Sequence, residues 1–156
     1  KMVSDKKMKS KVMETASNIQ KLRNNNVLPK VSLLDMNNQP VDLKKLITKK
    51  TIIYFWNKQS DSHSFYSHKK IDELKAKYSS IQFIAININN SQEDWLKEIK
   101  DKNFSNSIEL RATDFKELQN NWVINKVYRT MIINKNGTIN NAFVSLFDAN
   151  FESYLQ

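Results

Sequence analysis

Ser60-Asp61-Ser62-His63 places a hydroxyl, a carboxylate and an imidazole in one stretch of chain, the side-chain types a hydrolase uses as nucleophile, orienting acid and base. A working triad needs the base within hydrogen-bond reach of the nucleophile and a third group behind it, and consecutive residues do not meet that requirement. The stretch is read instead as the start of a helix, with Ser60 or Ser62 as N-cap and Asp61 complementing the helix dipole, together contributing about 1 kcal/mol. His63 and His68, with Asp61 and Asp72, form the other set able to do chemistry, as metal ligands. Helical ligands share a face at i, i+3 or i+4, whereas five residues set these two imidazoles about 140° apart. They are therefore expected to be exposed helix histidines, and no metal is predicted. No glycine-rich phosphate loop or EF-hand pattern occurs, so no cofactor is predicted either. The chain has no cysteine, which excludes thiol–disulfide chemistry by its own side chains.

The 156 residues, 40% hydrophobic and 26% charged, suit one folded domain. No run reaches the 18 or so apolar residues of a membrane span, and the first eleven residues are too polar for a signal-peptide core. Lys1 precedes Met2, so a mature form or a fragment is expected, from which a signal or anchor could have been removed. The net charge of +9 is unevenly spread. Residues 1–30 hold eight Lys/Arg against Asp5 and Glu14, net +6, and the other 126 residues hold 17 against 14, net +3. A basic segment on a nearly balanced domain, without the glycine–aromatic motifs of single-strand binders, argues against nucleic acid as a partner. Asn occurs 20 times and Gly once, so turns that elsewhere use Gly are expected to use Asn.

In residues 4–23, Met8, Val12, Ala16, Ile19 and Leu22 fall on one helical face, with lysines opposite. This amphipathic helix is expected to pack that face on the domain or on a second copy, giving a homodimer, with an acidic membrane surface as the other candidate. Asn24-Asn25-Asn26 ends it. Residues 31–34 read as a strand, 37–40 as a turn before Val41-Asp42-Leu43, and 44–47 as a helical turn. The apolar runs 51–56 and 81–88 are buried strands around a helix that carries Phe65, Ile71, Leu74 and Tyr78, a crossover that implies parallel pairing. Ser91-Gln92-Glu93-Asp94 has the capping-box form and opens a helix with Trp95, Leu96 and Ile99. A shorter helix covers 113–121. Strands 127–133 and 138–144 form a hairpin around Asn136-Gly137, and Asp148 caps a last helix with Phe151, Tyr154 and Leu155.

Three segments carry a resemblance. Leu28-Pro29-Lys30-Val31-Ser32-Leu33-Leu34-Asp35 followed by Gln39-Pro40-Val41-Asp42-Leu43 resembles the opening hairpin of bacterial envelope thiol–disulfide oxidoreductases of the TlpA/ResA type. Ile53-Tyr54-Phe55-Trp56 looks like the strand that enters their Cys-x-x-Cys site, and residues 131–139 look like the hairpin after their cis-proline. The resemblance spans residues 28–155. It implies an α/β, thioredoxin-like three-layer sandwich with a central mixed sheet, here a domain at 27–156 behind an N-terminal amphipathic helix at 1–26, and an envelope or periplasmic location. It also places the family's two cysteines at Ser60 and His63, and its cis-proline at Tyr128, where a trans bond after Val127 is expected. Ser60, Asp61, Ser62, His63 and Tyr128 are thus vestigial active-site positions, with no catalytic residue among them. The chain is similar to degenerate, cysteine-free members of the family in Bacteroidetes. By the same analogy Trp56, Tyr66 and Tyr128 border a groove that could hold a protein or peptide partner, since aromatic residues are favoured anchors.

The function this implies is that of a redox-inactive binding module. An enzyme using the scaffold without thiols is a second reading, and an oxidoreductase whose catalytic cysteine was replaced by Ser60 through engineering is a third.

Overall fold

The structure, a computed structural model, describes residues 2–156, with side chains from Lys6 onward. Its centre is Thr51–Trp56 (β2), buried at every residue. An apolar run so rich in β-branched and aromatic residues is stable only with both faces covered. The residues alternate between two cores: Ile53 and Phe55 point to one, Ile52, Tyr54 and Trp56 to the other.

Before β2 come Met2–Lys21 (α1), the two-residue Leu33–Leu34 (β1) and Leu43–Leu46 (α2). After it follow Asp61–Lys77 (α3), Gln82–Asn87 (β3), Gln92–Lys102 (α4), Ile108–Ala112 (β4), Phe115–Trp122 (α5), Thr130–Ile133 (β5), Ile139–Val144 (β6) and a 3-10 turn, Phe151–Leu155. The six strands make one mixed sheet in the order β1-β4-β3-β2-β5-β6. β2 pairs with β3, and β3 with β4, in parallel, while β5 and β6 join as an antiparallel hairpin and β1 runs antiparallel to β4.

Helices cover both sheet faces. Ile71 and Leu74 of α3 pack with Trp95 and Ile99 of α4, Phe151 and Leu155 on one side. Leu118 and Trp122 of α5 pack with Leu22 and Ile47 on the other. This is the expected three-layer α/β sandwich with a central mixed sheet. Ser91 caps α4 by accepting the Asp94 N–H at 3.1 Å, as the capping box predicts. Four of the residues with positive φ are Asn25, Asn38, Asn89 and Asn103, which stand in turn and cap positions commonly filled by glycine. Gly137 (φ +85°) closes the β5–β6 hairpin, its N–H donating to the Asn134 carbonyl.

The structure differs from the sequence reading in three places, the first being the packing of α1 on the domain. α1 forms, yet of its predicted packing face only Leu22, just beyond the helix, is buried, whereas Met8, Val12 and Ile19 are 65%, 67% and 42% exposed. The domain offers α1 only a seat at its C-terminal end, against α5. Strand β4 was not predicted, because Glu109 and Arg111 interrupt its apolar pattern. The last helix is a 3-10 turn, and Asp148 uses its carboxylate to accept the Ser145 N–H instead of capping it. Among the described residues no helix is long and apolar enough to cross a membrane.

Candidate functional site

The first turn of α3 is held from below by Asn57. Its side-chain oxygen accepts the Ser60 N–H at 2.9 Å, and its carbonyl accepts the Ser64 hydroxyl at 2.8 Å. Ser60 occupies the N-cap position but makes no side-chain capping bond, which corrects the capping role expected of Ser60 or Ser62. Asn57 fixes the loop instead, by accepting the Ser60 N–H. Asp61 lies in the first turn, where a carboxylate suits the helix dipole, and pairs with Lys102 of α4. Ser62 is exposed.

His63 turns toward the loop before β5. Its ring packs edge-on against Tyr128 at 5.1 Å between centroids and against Phe147 at 6.0 Å. Its Nε2 lies 3.4 Å from the Ser67 hydroxyl, and its buried Nδ1 has no partner. Burial, followed by the positive field of His68, holds the His63 imidazole below its ordinary range. No carboxylate stands behind it, so Ser60, Asp61, Ser62 and His63 make no triad. Nor do the described residues gather three metal-ligating side chains.

Around His63 the surface is aromatic. Tyr66, Tyr128 and Phe147 are 57%, 59% and 50% exposed, and Phe65 packs edge-on against Tyr66. Ser62, His63, Tyr66, Lys69, Lys70, Glu73 and Phe147 line an open groove of ≈ 510 Å³. On the other side of Tyr128 a more polar cleft of ≈ 270 Å³ lies between Asn57, Ser60, Asn89, Asn125 and Lys126. The His63–Tyr128 contact therefore joins the two recesses. Arg129 anchors this loop, donating to the Trp122 carbonyl and lying 4.6 Å from the Phe143 ring, with its guanidinium pushed down to about 10 by burial. All described peptide bonds are trans, including that between Val127 and Tyr128. A larger recess of ≈ 550 Å³ lies elsewhere, between the segment around Leu28 and Pro29 and the segment around Val41. It shares no residue with the stretch 60–63 or with Tyr128.

Two of the expected residues lie elsewhere. Trp56 is fully buried and so does not border the groove, because as the last residue of β2 it points under α3. His68 is buried as well, not exposed. The two meet at Glu109 of β4: Trp56 Nε1–H donates to Oε2 at 3.1 Å, and His68 Nε2 lies 2.8 Å from Oε1. His68 Nδ1 donates to the Ser64 carbonyl at 2.8 Å, so Nε2 carries a proton only if the imidazole is cationic. The short Nε2–Oε1 contact thus requires one proton, on either histidine or carboxyl. Phe104 stacks on the His68 ring, with centroids 3.4 Å apart. Burial drives the Glu109 carboxyl above its ordinary range against the opposing pull of His68 and Trp56. Glu109 was not foreseen, since a lone glutamate between apolar residues reads as a surface position and its partner lies 41 residues away.

A family model described as thioredoxin-like matches residues 48–139. The chain belongs to this thioredoxin-like family. Solved structures agree on the fold. A proposed thiol–disulfide oxidoreductase from Bacteroides vulgatus is 19% identical, covering 85% of this chain and 94% of its own, with a TM-score of 0.73. A domain of a proposed thiol–disulfide isomerase from Cytophaga hutchinsonii is 24% identical over 86% and 91%, with a TM-score of 0.73. A secreted disulfide oxidoreductase from Mycobacterium tuberculosis is 16% identical over 80% and 92%, with a TM-score of 0.57. None of the curated proteins compared with the chain matches it. In this fold Ser60 and Tyr128 line one cleft at the start of α3 and His63 packs on Tyr128, in a chain without cysteine.

Proposed function

We propose that this chain is a redox-inactive thioredoxin-like binding module that holds a segment of a partner protein beside the former active site. The observation that supports it most is the exposed aromatic surface of Tyr66, Tyr128 and Phe147 around His63. Exposed tyrosines supply large contact area at little cost in side-chain freedom, and clustered aromatic residues mark interaction sites more than scattered ones do. The lost thiols remove electron transfer but leave the recess beside α3 open. An envelope location accompanies this reading, in keeping with the secreted relative.

The test has two parts. An insulin-reduction assay on protein free of contaminating thioredoxin should show no turnover above buffer. Co-purification from the native host should retain a partner with the wild type and lose it with Tyr66→Ala/Tyr128→Ala, although both variants are equally folded. Retention unchanged by that double substitution would overturn the assignment of the surface.

A further inference from the structure

α1 presents a surface that the rest of the molecule leaves uncovered. It runs 20 residues from Met2 to Lys21, and only the chain just past its end, at Leu22, is buried in the domain. Met8, Val12 and Ile19 share one face at i, i+4 and i+11, and all three are exposed. Lys9 and Lys11 fall on the two flanks of that face, with Lys7 one step further round, so cationic side chains border the apolar stripe on both sides. An isolated helix of this length is marginal in water unless its apolar face finds a surface.

The charge decides what that surface is. With five lysines against Asp5 and Glu14 within Met2–Lys21, a net charge of +3, two copies of the helix brought face to face would repel. Residues 31–156 are themselves net positive by three charges, and the domain meets α1 only at the seat against α5. What fits a narrow apolar stripe flanked by lysines is an anionic interface with an apolar layer beneath it. The apolar side chains enter that layer while lysine stems lie along it and carry their ammonium groups outward.

We infer that α1 is a membrane-surface element that lies on anionic lipid and holds the thioredoxin-like domain beside the bilayer. This inference is independent of the function proposed for the aromatic surface, since it uses no residue of that site.

The full chain is mixed with phosphatidylcholine vesicles, with and without phosphatidylglycerol, and the bound fraction is measured by co-sedimentation at low and high salt. Binding is expected only to the anionic vesicles, weakening as salt rises. Lys7→Gln/Lys9→Gln/Lys11→Gln should lower the affinity on the order of a hundredfold. Met8→Ser/Val12→Ser/Ile19→Ser should also release the protein while leaving the domain's melting temperature unchanged. No binding to anionic vesicles, or binding that survives the apolar substitutions, overturns the inference. So does a dimer in sedimentation equilibrium that the apolar substitutions dissociate, because a second copy would then be the occupant of the stripe.

Discussion

The His68–Glu109 contact shows how a single proton can be structural. Burial raises the Glu109 carboxyl, so its proton is held more tightly in the folded chain than in the unfolded one. The stability linked to that proton is fully present below the ordinary carboxylate range and is lost as pH rises through the raised folded value. In Glu109→Gln, an amide N–H can replace the proton toward His68 Nε2 while the amide oxygen still accepts from Trp56. That variant should stay within about 1 kcal/mol of the wild type below the ordinary carboxylate range and gain on it as the pH rises through the raised folded value, read from melting curves across a pH series. His68→Ala is different, for it leaves a buried carboxyl facing a cavity, and should cost about 3–5 kcal/mol. At the start of α3 the contrast is between Ser60 and Asn57. Ser60→Ala removes no bond and should change stability by less than about 0.5 kcal/mol, whereas Asn57→Ala frees the Ser60 N–H and should cost about 1 kcal/mol. Equal effects in chemical denaturation would show that Ser60 does cap the helix.

Elements were legible in proportion to how local their cause is. β2 and β3 announce themselves because a strand buried on both faces must be apolar throughout, and α4 because Ser91 and Asp94 lie within one turn. β4 was hidden because Glu109 is explained only by Trp56 and His68, which no local pattern supplies. Trp56 was misplaced for a related reason: strand alternation says that it faces the Ile52 and Tyr54 side, but not that α3 covers that side to its end. The site was legible as positions and not as surfaces. Ser60, His63 and Tyr128 do converge, yet Phe147 reaches His63 from a loop 84 residues on, and nothing in its neighbourhood marks it. α1 marks the opposite limit, since its periodicity gives a face without saying whether anything covers it. Leu22→Ala should cost about 2–5 kcal/mol, whereas deleting residues 1–18 should barely move the melting temperature. A large destabilisation by the deletion would mean that the helix contributes to the core beyond Leu22.

At the scale of the whole molecule, the sheet separates two cores. One face of the sheet packs beneath α3 and α4 around the Trp56–His68–Glu109 cluster, and the other beneath α5 and Leu22. The aromatic recess lies at one end, and α1 stands out from the sheet face covered by α5. The β5–β6 hairpin that completes the sheet also gives the protein a chemical clock. In Asn136-Gly137 the glycine amide nitrogen can attack the asparagine side chain unhindered by a Cβ, expelling ammonia and leaving, after hydrolysis, an acidic residue. While the turn is closed, the Gly137 N–H is bound to Asn134 and the Asn136 oxygen accepts from Thr138, so the two groups are held apart from reaction. Ageing should therefore proceed only as fast as the hairpin opens, lowering the net charge from +9 to +8. Ion-exchange chromatography of stored samples should follow that loss, faster under mild denaturant and absent in Asn136→Ser. A rate indifferent to denaturant would mean that the closed turn gives no protection.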